Sequence, residues 1–190
     1  MAKLKLGIVL GSTRPKRASE KVGAWIAQLA KSRADLDVTI LDLREFPLPF
    51  YEEPVPAKMA ETNYTDAVKQ NWVKAVAAQD AFIFVTPEYN HGYSAVLKNA
   101  LDHVYTGWNG KPVAYVSYGG ISGGIRAVQQ LRQVSVELQL VPLREEVNIA
   151  MIGSAFDEHS VPKDPVFEKR ANAMLDRLAV YGQALRAVRA

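Results

Sequence analysis

The chain has 190 residues, with 23 Lys or Arg against 20 Asp or Glu and a formal net charge of +3. This length fits one domain that buries its core without staples. The chain has no cysteine, which excludes disulfides, thiolate nucleophiles, cysteine-bound metal and dithiol redox cycles. The mild charge predicts no nucleic-acid partner. The apolar runs are too short for a signal peptide or a bilayer span, so we expect a cytoplasmic protein with no membrane partner.

Short apolar runs alternate with amphipathic stretches along the chain. The apolar runs predict strands at 4–10, 38–43, 81–85, 113–116 and within 140–149. Helical spacing predicts helices from about 19, over 68–76, 97–104 and 125–138, and from about 164. The prolines between 44 and 56 predict an extended loop. This order predicts an α/β fold, a flavodoxin-like three-layer sandwich whose five-stranded parallel sheet has order 2-1-3-4-5 and helices on both faces. We expect one domain over residues 1–190.

In such a sheet a ligand binds beyond the carboxyl ends of the strands, where the strand order reverses. The first predicted strand runs into the loop Gly-Ser-Thr-Arg-Pro-Lys-Arg-Ala-Ser at 11–19, directly before a helix. Helix N–H groups, hydroxyls and a guanidinium make an anion pocket. The spacing fits neither the dinucleotide fingerprint nor the Walker loop, which favours a single phosphate. The alternative is a plain turn with Ser19 as the helix N-cap.

The third predicted strand ends in Thr-Pro-Glu-Tyr-Asn-His-Gly-Tyr-Ser at 86–94. This loop combines amide and aromatic groups at the expected ligand edge, and Gly92 permits a tight backbone. It could border one edge of a flat heterocycle and offer peptide N–H groups to it. The alternative is a structural turn in which Ser94 caps the next helix.

The fourth predicted strand ends in Ser-Tyr-Gly-Gly-Ile-Ser-Gly-Gly at 117–124. Four glycines in six positions let the backbone approach a ligand and aim N–H groups at an electron-rich edge. That arrangement stabilises negative charge on a reduced ring. A bare turn rarely needs so many glycines.

Together, GSTRPKRAS, PEYNHGYSAVLKNALDH and SYGGISGG resemble the NAD(P)H-dependent FMN reductase family, which includes quinone, azo-dye and chromate reductases. The resemblance runs from the first strand to the helix after the fourth and weakens beyond Leu140. It implies an FMN-binding reductase domain with NADPH or NADH as co-substrate and a small-molecule electron acceptor. It also implies that hydride passes to the flavin N5 and then to that acceptor by a ping-pong route, with no catalytic side chain. The family also implies a homodimer or homotetramer, for which Tyr105, Trp108 and the loop at 46–51 are candidate contacts.

The resemblance also assigns the site residues. The FMN phosphate falls on Ser12, Thr13, Arg14 and Ser19. The isoalloxazine ring is bordered by Pro87, Glu88, Tyr89, Asn90 and His91. The pyrimidine side meets Ser117, Gly119 and Gly120. The basic side chains themselves, not the resemblance, suggest Lys16 or Arg17, beside Arg14, for the extra phosphate of NADPH.

Two other functions compete with this interpretation. The sequence Gly-Ile-Ser-Gly-Gly around Ser122 matches the nucleophile elbow of serine hydrolases, and Asp157 and His159 follow in hydrolase order. One loop would then have to supply both the acid and the base. A flavodoxin-type electron carrier is the other alternative, although such carriers are typically acidic and this chain is basic. The three histidines, His91, His103 and His159, lack metal-ligand spacing, so we expect no metal.

Overall fold

One parallel β-sheet organises residues 2–189, which the computed structural model describes. Its strands are β1 (Leu4–Leu10), β2 (Leu36–Asp42), β3 (Ala81–Pro87), β4 (Pro112–Tyr118) and β5 (Val141–Ile149). Every neighbouring pair is parallel and the order is β2-β1-β3-β4-β5. This confirms the predicted sheet. β3 and β4 are buried at every position, as strands covered on both faces are.

Over residues 2–189, six helices connect and cover the strands. They are α1 (Ala18–Lys31), α2 (Ala57–Ala60), α3 (Ala67–Ala77), α4 (Ala95–Asp102), α5 (Ile125–Glu137) and α6 (Pro165–Arg189). The sequence did not predict the single turn of α2 or the 3₁₀ turn Thr106–Trp108, because neither is long enough to show a period. No helix within residues 2–189 combines the length and the apolarity that crossing a bilayer requires.

Two separate cores lie on the two faces of the sheet. α1 and α6 pack on one face, where Trp25 is buried, and α3, α4 and α5 pack on the other, where Trp72 is buried. Both tryptophans therefore belong to the core. Trp108 is fully buried as well, with its ring centroid 4.7 Å from that of Phe82. The expectation that Trp108 lies at a subunit contact is wrong, because its side chain does not reach the surface.

The strand register brings three loops to one edge of the sheet. Leu10 at the end of β1 is level with Val85 of β3, and Pro87 at the end of β3 is level with Tyr118 of β4. The loops at 11–17, 88–94 and 119–124 are called the first, second and third loops below. Since β1, β3 and β4 are neighbours, these loops adjoin where the fold rule expects a ligand.

Candidate functional site

The first loop presents donors that have no protein acceptor. Within the described residues 2–189, the N–H groups of Ser12, Thr13 and Arg14 make no hydrogen bond to the protein. Arg17 is the N-cap of α1, and no side chain of the described residues caps that end. Ser19 is in the first turn rather than at the cap, and its buried Oγ has no hydrogen-bond partner in the described part of the chain. Because the start of a helix carries partial positive charge, these groups together suit an anion.

A cluster of hydroxyls lies beside this helix start. The hydroxyls of Ser12 and Tyr89 share a hydrogen bond of 2.9 Å, which ties the first loop to the second. The guanidinium of Arg14 lies 5.5 Å from the centroid of the Tyr89 ring. Tyr118, which was not predicted as a site residue, has a buried hydroxyl that finds no hydrogen-bond partner between residues 2 and 189. Burial raises the pKa of Tyr118 to about 12, although the nearby Ser19 and Ser12 oppose the shift, so the hydroxyl stays protonated.

Arg17 does not serve the role expected of it. Its side chain is only 2% exposed and forms a bidentate ion pair with Asp42 at the end of β2. It also donates to the carbonyl of Ser12 at 2.5 Å and to Glu20 at 3.1 Å. The pKa of Arg17 is raised by the hydrogen bond to Asp42, against the opposing effect of burial. Arg17 therefore holds the first loop in place and is not available to a nucleotide phosphate, whereas Lys16 is exposed.

The second loop folds back on itself through a two-residue turn. Tyr89 and Gly92 exchange backbone hydrogen bonds of 2.8 and 3.0 Å. Asn90 and His91 form the tip, with φ angles of 49° and 68°, as a type I′ turn requires. Both residues are exposed, whereas Pro87 is buried as the last residue of β3. The tip is therefore the part of this loop that can meet a ligand. Ser94 caps α4, as the alternative interpretation of this loop expected, and accepts from the N–H of Leu97 at 3.3 Å.

Glu88 faces the third loop. Its carboxylate accepts hydrogen bonds from Ser122 Oγ at 2.9 Å and from the backbone and side chain of Arg126 at 3.1 and 2.6 Å. Burial raises the pKa of Glu88, but the bonds from Ser122 and Arg126 outweigh it and lower the pKa below its usual value. An ionised Glu88 thus fixes the third loop against the second.

This contact removes the basis for the serine hydrolase alternative. Ser122 Oγ donates to the carboxylate of Glu88, where a nucleophile would donate to a histidine. Asp157 accepts from the backbone N–H groups of His159 and Val161 and so closes its own turn. The His159 side chain is 79% exposed and lies 3.5 Å from Glu158. Ser122, Asp157 and His159 therefore do not form a triad.

The shape of the third loop depends on Ser117 and on two of the glycines. Ser117 is buried, and its Oγ donates to the Gly123 carbonyl at 2.8 Å and accepts from Asn148 at 3.0 Å. Gly124 has φ of 91°, and a Cβ there would lie 2.6 Å from the Cβ of Ser117. Ser117 was expected to contact a ligand, but its hydroxyl is used within the loop. Asn148, at the end of β5, was missed because no local motif marks it.

The outer side of the third loop is open. A Cβ added to Gly120 would meet nothing within 4 Å, and Ile121 is 92% exposed. In the part of the chain that the structure describes, the N–H groups of Gly120 and Ile121 have no protein acceptor. Gly119 instead donates to the carbonyl of Ile149 at 3.2 Å. The loop thus offers backbone donors to a group lying against it.

Comparison with known proteins identifies the family of this chain and agrees with the observed fold. Residues 4–153 match the family model described as NADPH-dependent FMN reductase. An NAD(P)H-dependent FMN reductase of Schizosaccharomyces pombe is 41% identical over 136 residues, which cover 72% of this chain and 68% of that protein. A quinone reductase of Pseudomonas putida is 30% identical over 193 residues, covering 96% and 97%. The structure of a flavoenzyme NAD(P)H:(acceptor) oxidoreductase from Paracoccus denitrificans aligns with a TM-score of 0.77 at 20% identity, covering 95% and 98%.

Proposed function

The chain belongs to the NADPH-dependent FMN reductase family, and from this premise we propose that it reduces a small-molecule acceptor by a ping-pong route. It is an oxidoreductase that uses FMN with NADPH or NADH. The quinone reductase that aligns along nearly the whole chain supports a flat, small acceptor. The single observation that carries the site assignment is the uncapped start of α1 beside the buried, unpartnered hydroxyls of Ser19 and Tyr118.

The hydroxyl cluster fits the phosphate of FMN. A buried hydroxyl without a partner costs about 1–3 kcal/mol, and phosphate oxygens would satisfy both Ser19 and Tyr118. Ser12, Thr13 and Arg14 would add backbone donors, and Arg14 a positive charge. The hydroxyl of Tyr89 shares a hydrogen bond with Ser12, one of the residues that would hold the phosphate. We therefore expect the bond between Tyr89 and Ser12 to be replaced by a bond to the phosphate when FMN binds.

The second and third loops would border the ring of the cofactor. When bound, FMN supplies the N5 atom that accepts hydride from the nicotinamide and passes it to the acceptor. The N–H groups of Gly120 and Ile121 are available to the pyrimidine edge, where donors stabilise developing negative charge. The turn at Asn90 and His91 would lie against the same ring. The side chains of Glu88 and Ser117 would not contact the ring and would act indirectly, by holding the loops in the conformation that binds it.

Anaerobic visible absorbance tests the proposed function directly. The protein is reconstituted with FMN and desalted, and NADPH or NADH is then added without oxygen. Retained flavin absorbance that bleaches within seconds supports the reductase. Flavin that is retained but not bleached would favour an electron carrier, and failure to retain flavin would overturn the site.

Ser19→Ala tests the phosphate site separately. Its Oγ has no hydrogen-bond partner among residues 2–189, so removing it should not destabilise the apoprotein. Losing one hydrogen bond to a charged phosphate should weaken FMN binding about tenfold, measured by fluorescence titration. Ser32→Ala, at the other end of α1, removes only a bond to the carbonyl of Leu29 and should leave FMN affinity as it is. Equal affinities for all three proteins would contradict the phosphate assignment.

We also propose that residues 1–190 act as one domain, in the cytoplasm, as a homodimer or homotetramer. Support for a subunit contact comes from Phe50, which is 74% exposed. It lines an apolar cavity of about 410 Å³ together with Phe46, Leu48 and Val96. An exposed aromatic side chain beside an apolar hollow is typical of surfaces buried between subunits. Phe50→Ser should lower the mass found by light scattering, and an unchanged mass would exclude this contact.

A further inference from the structure

A polar groove follows the free edge of the sheet. β5 is an edge strand, and the groove beside it has a volume of about 770 Å³. Its walls come from α5, β5 and α6, and its lining includes Ile125, Arg132, Arg144, Glu146, Asn148 and Arg170. None of the site residues predicted from the sequence lies in this groove.

The groove has more positive charge than its own carboxylates neutralise. Glu146 is paired with Arg132 at 2.6 Å, and Glu145 lies 3.7 Å from Arg177. Arg144 and Arg170 are exposed, and neither has a carboxylate partner among residues 2–189. Two guanidinium groups are therefore left for an anion from solution. Guanidinium pairs bind phosphate with strong, directional hydrogen bonds.

One end of the groove adjoins the third loop. Asn148 lines the groove and donates to Ser117 Oγ at 3.0 Å, and Ser117 holds Gly123. Ile125, also in the lining, directly follows the loop. Arg144 is four residues before Asn148 on β5, in the stretch where the register with β4 shifts, and so lies at most about 13 Å from it along the strand. A dinucleotide with its nicotinamide near the third loop could extend its adenosine end along this edge.

Several other cations around the site already have partners, whereas Lys16 of the first loop is exposed and is the competing candidate that the test below includes. Arg17 is held by Asp42, Arg126 by Glu88, and Arg14 lies over Tyr89. We propose that Arg144 and Arg170 bind the 2′-phosphate of NADPH, and that they give the enzyme a preference for NADPH over NADH. This inference rests on the proposed reductase function.

Kinetics of charge-removing variants test the proposal. Arg144→Gln, Arg170→Gln and the double variant are assayed with both nucleotides. In the double variant the KM for NADPH should rise about tenfold more than the KM for NADH, because only NADPH has the 2′-phosphate. Lys169→Gln is the matched control, since Lys169 is exposed next to Arg170 but lies outside the lining. It should show the wild-type KM ratio.

Binding of a nucleotide fragment gives a readout without turnover. In calorimetry of the FMN-loaded protein, the affinity for adenosine 2′-monophosphate should be about tenfold lower in the double variant than in the wild type. The affinity for adenosine 5′-monophosphate should be nearly the same in both proteins. An unchanged KM ratio in the double variant, or a changed ratio in Lys16→Ala instead, would overturn the assignment. Bleaching of the flavin by NADH in these variants would show that the reductase function stands even if the groove assignment fails. If neither nucleotide bleaches the wild-type flavin, the proposed function fails instead.

Discussion

Replacing Arg17 by alanine separates a role in the fold from a role in nucleotide binding. The guanidinium lies 2.7 Å from Asp42 Oδ1 and 2.5 Å from the Ser12 carbonyl. Removing one partner of a buried ion pair costs about 3–5 kcal/mol, because the other charge stays behind. The Asp42 side chain is 18% exposed and keeps the N–H of Arg44 at 2.9 Å. We therefore expect the lower end, about 3 kcal/mol.

Denaturant unfolding of the apoprotein measures this loss. Lys98→Ala is the control, because Lys98 pairs with Asp102 at the surface of α4, where such a pair contributes about 0.5 kcal/mol. Arg17→Ala should also weaken FMN binding, since the first loop loses its support, while the ratio of KM values for NADPH and NADH stays as in the wild type. Wild-type stability combined with a selective rise in the KM for NADPH would refute this reasoning.

The same pair predicts a pH dependence. Burial raises the pKa of Asp42, but the hydrogen bonds from Arg17 and the Arg44 backbone outweigh it and lower the pKa. A carboxyl whose pKa is lowered by folding stabilises the protein above its unfolded pKa of about 3.9. That stabilisation is lost as the pH falls through the lowered value. The difference in unfolding free energy between wild type and Arg17→Ala should therefore be full at pH 7 and shrink below about pH 4.

Three further substitutions test other parts of the fold and site. Gly124→Ala should lower the unfolding free energy by about 2 kcal/mol and weaken FMN binding, both measurable by titration, because φ is 91° and the Cβ would clash with Ser117. Burial lowers the pKa of Lys111 to about 8, against about 10.4 in an unfolded chain. Between these values Lys111 keeps its proton in the unfolded chain and has lost it in the folded protein. The wild type should gain stability from pH 8 to 10, and Lys111→Met should flatten that rise in denaturation curves. Ser122→Ala should keep reductase turnover within about threefold, whereas a serine hydrolase would lose about 10³-fold or more.

Much of this fold could be predicted because its strongest signals are local. The continuous apolar run of β3 indicates a strand buried on both faces. The stripe of Val22, Trp25 and Ile26 indicates a helix lying on such a sheet. Once five such units alternate, the general rule for open sheets predicts which edge binds the ligand. The three loops lie together at that edge because the order of β1, β3 and β4 places them there.

The individual roles within the loops depend on partners far away in the sequence. Judged from the sequence alone, Arg17, like Arg14 and Lys16, is a basic residue of the first loop that could bind a phosphate. The register of the sheet gives Arg17 a different role, because it sets Asp42, the ion-pair partner of Arg17, level with Leu10 at the end of β1. The same holds for Ser117, whose hydroxyl is used by Asn148 of β5. No local pattern contains these pairings.

A common arrangement follows from these contacts. For each loop, a polar side chain that looks suited to a ligand instead holds the backbone: Arg17 in the first loop, Glu88 in the second, and Ser117 of β4 for the third. The groups that stay available to a ligand are backbone N–H groups without an acceptor in residues 2–189, such as that of Gly120. Recognition by backbone donors depends on loop shape more than on the side chains beside the ligand. Substitutions at these three buried positions should therefore weaken flavin binding without any contact to the flavin, and a substitution at exposed Ile121 should change it least.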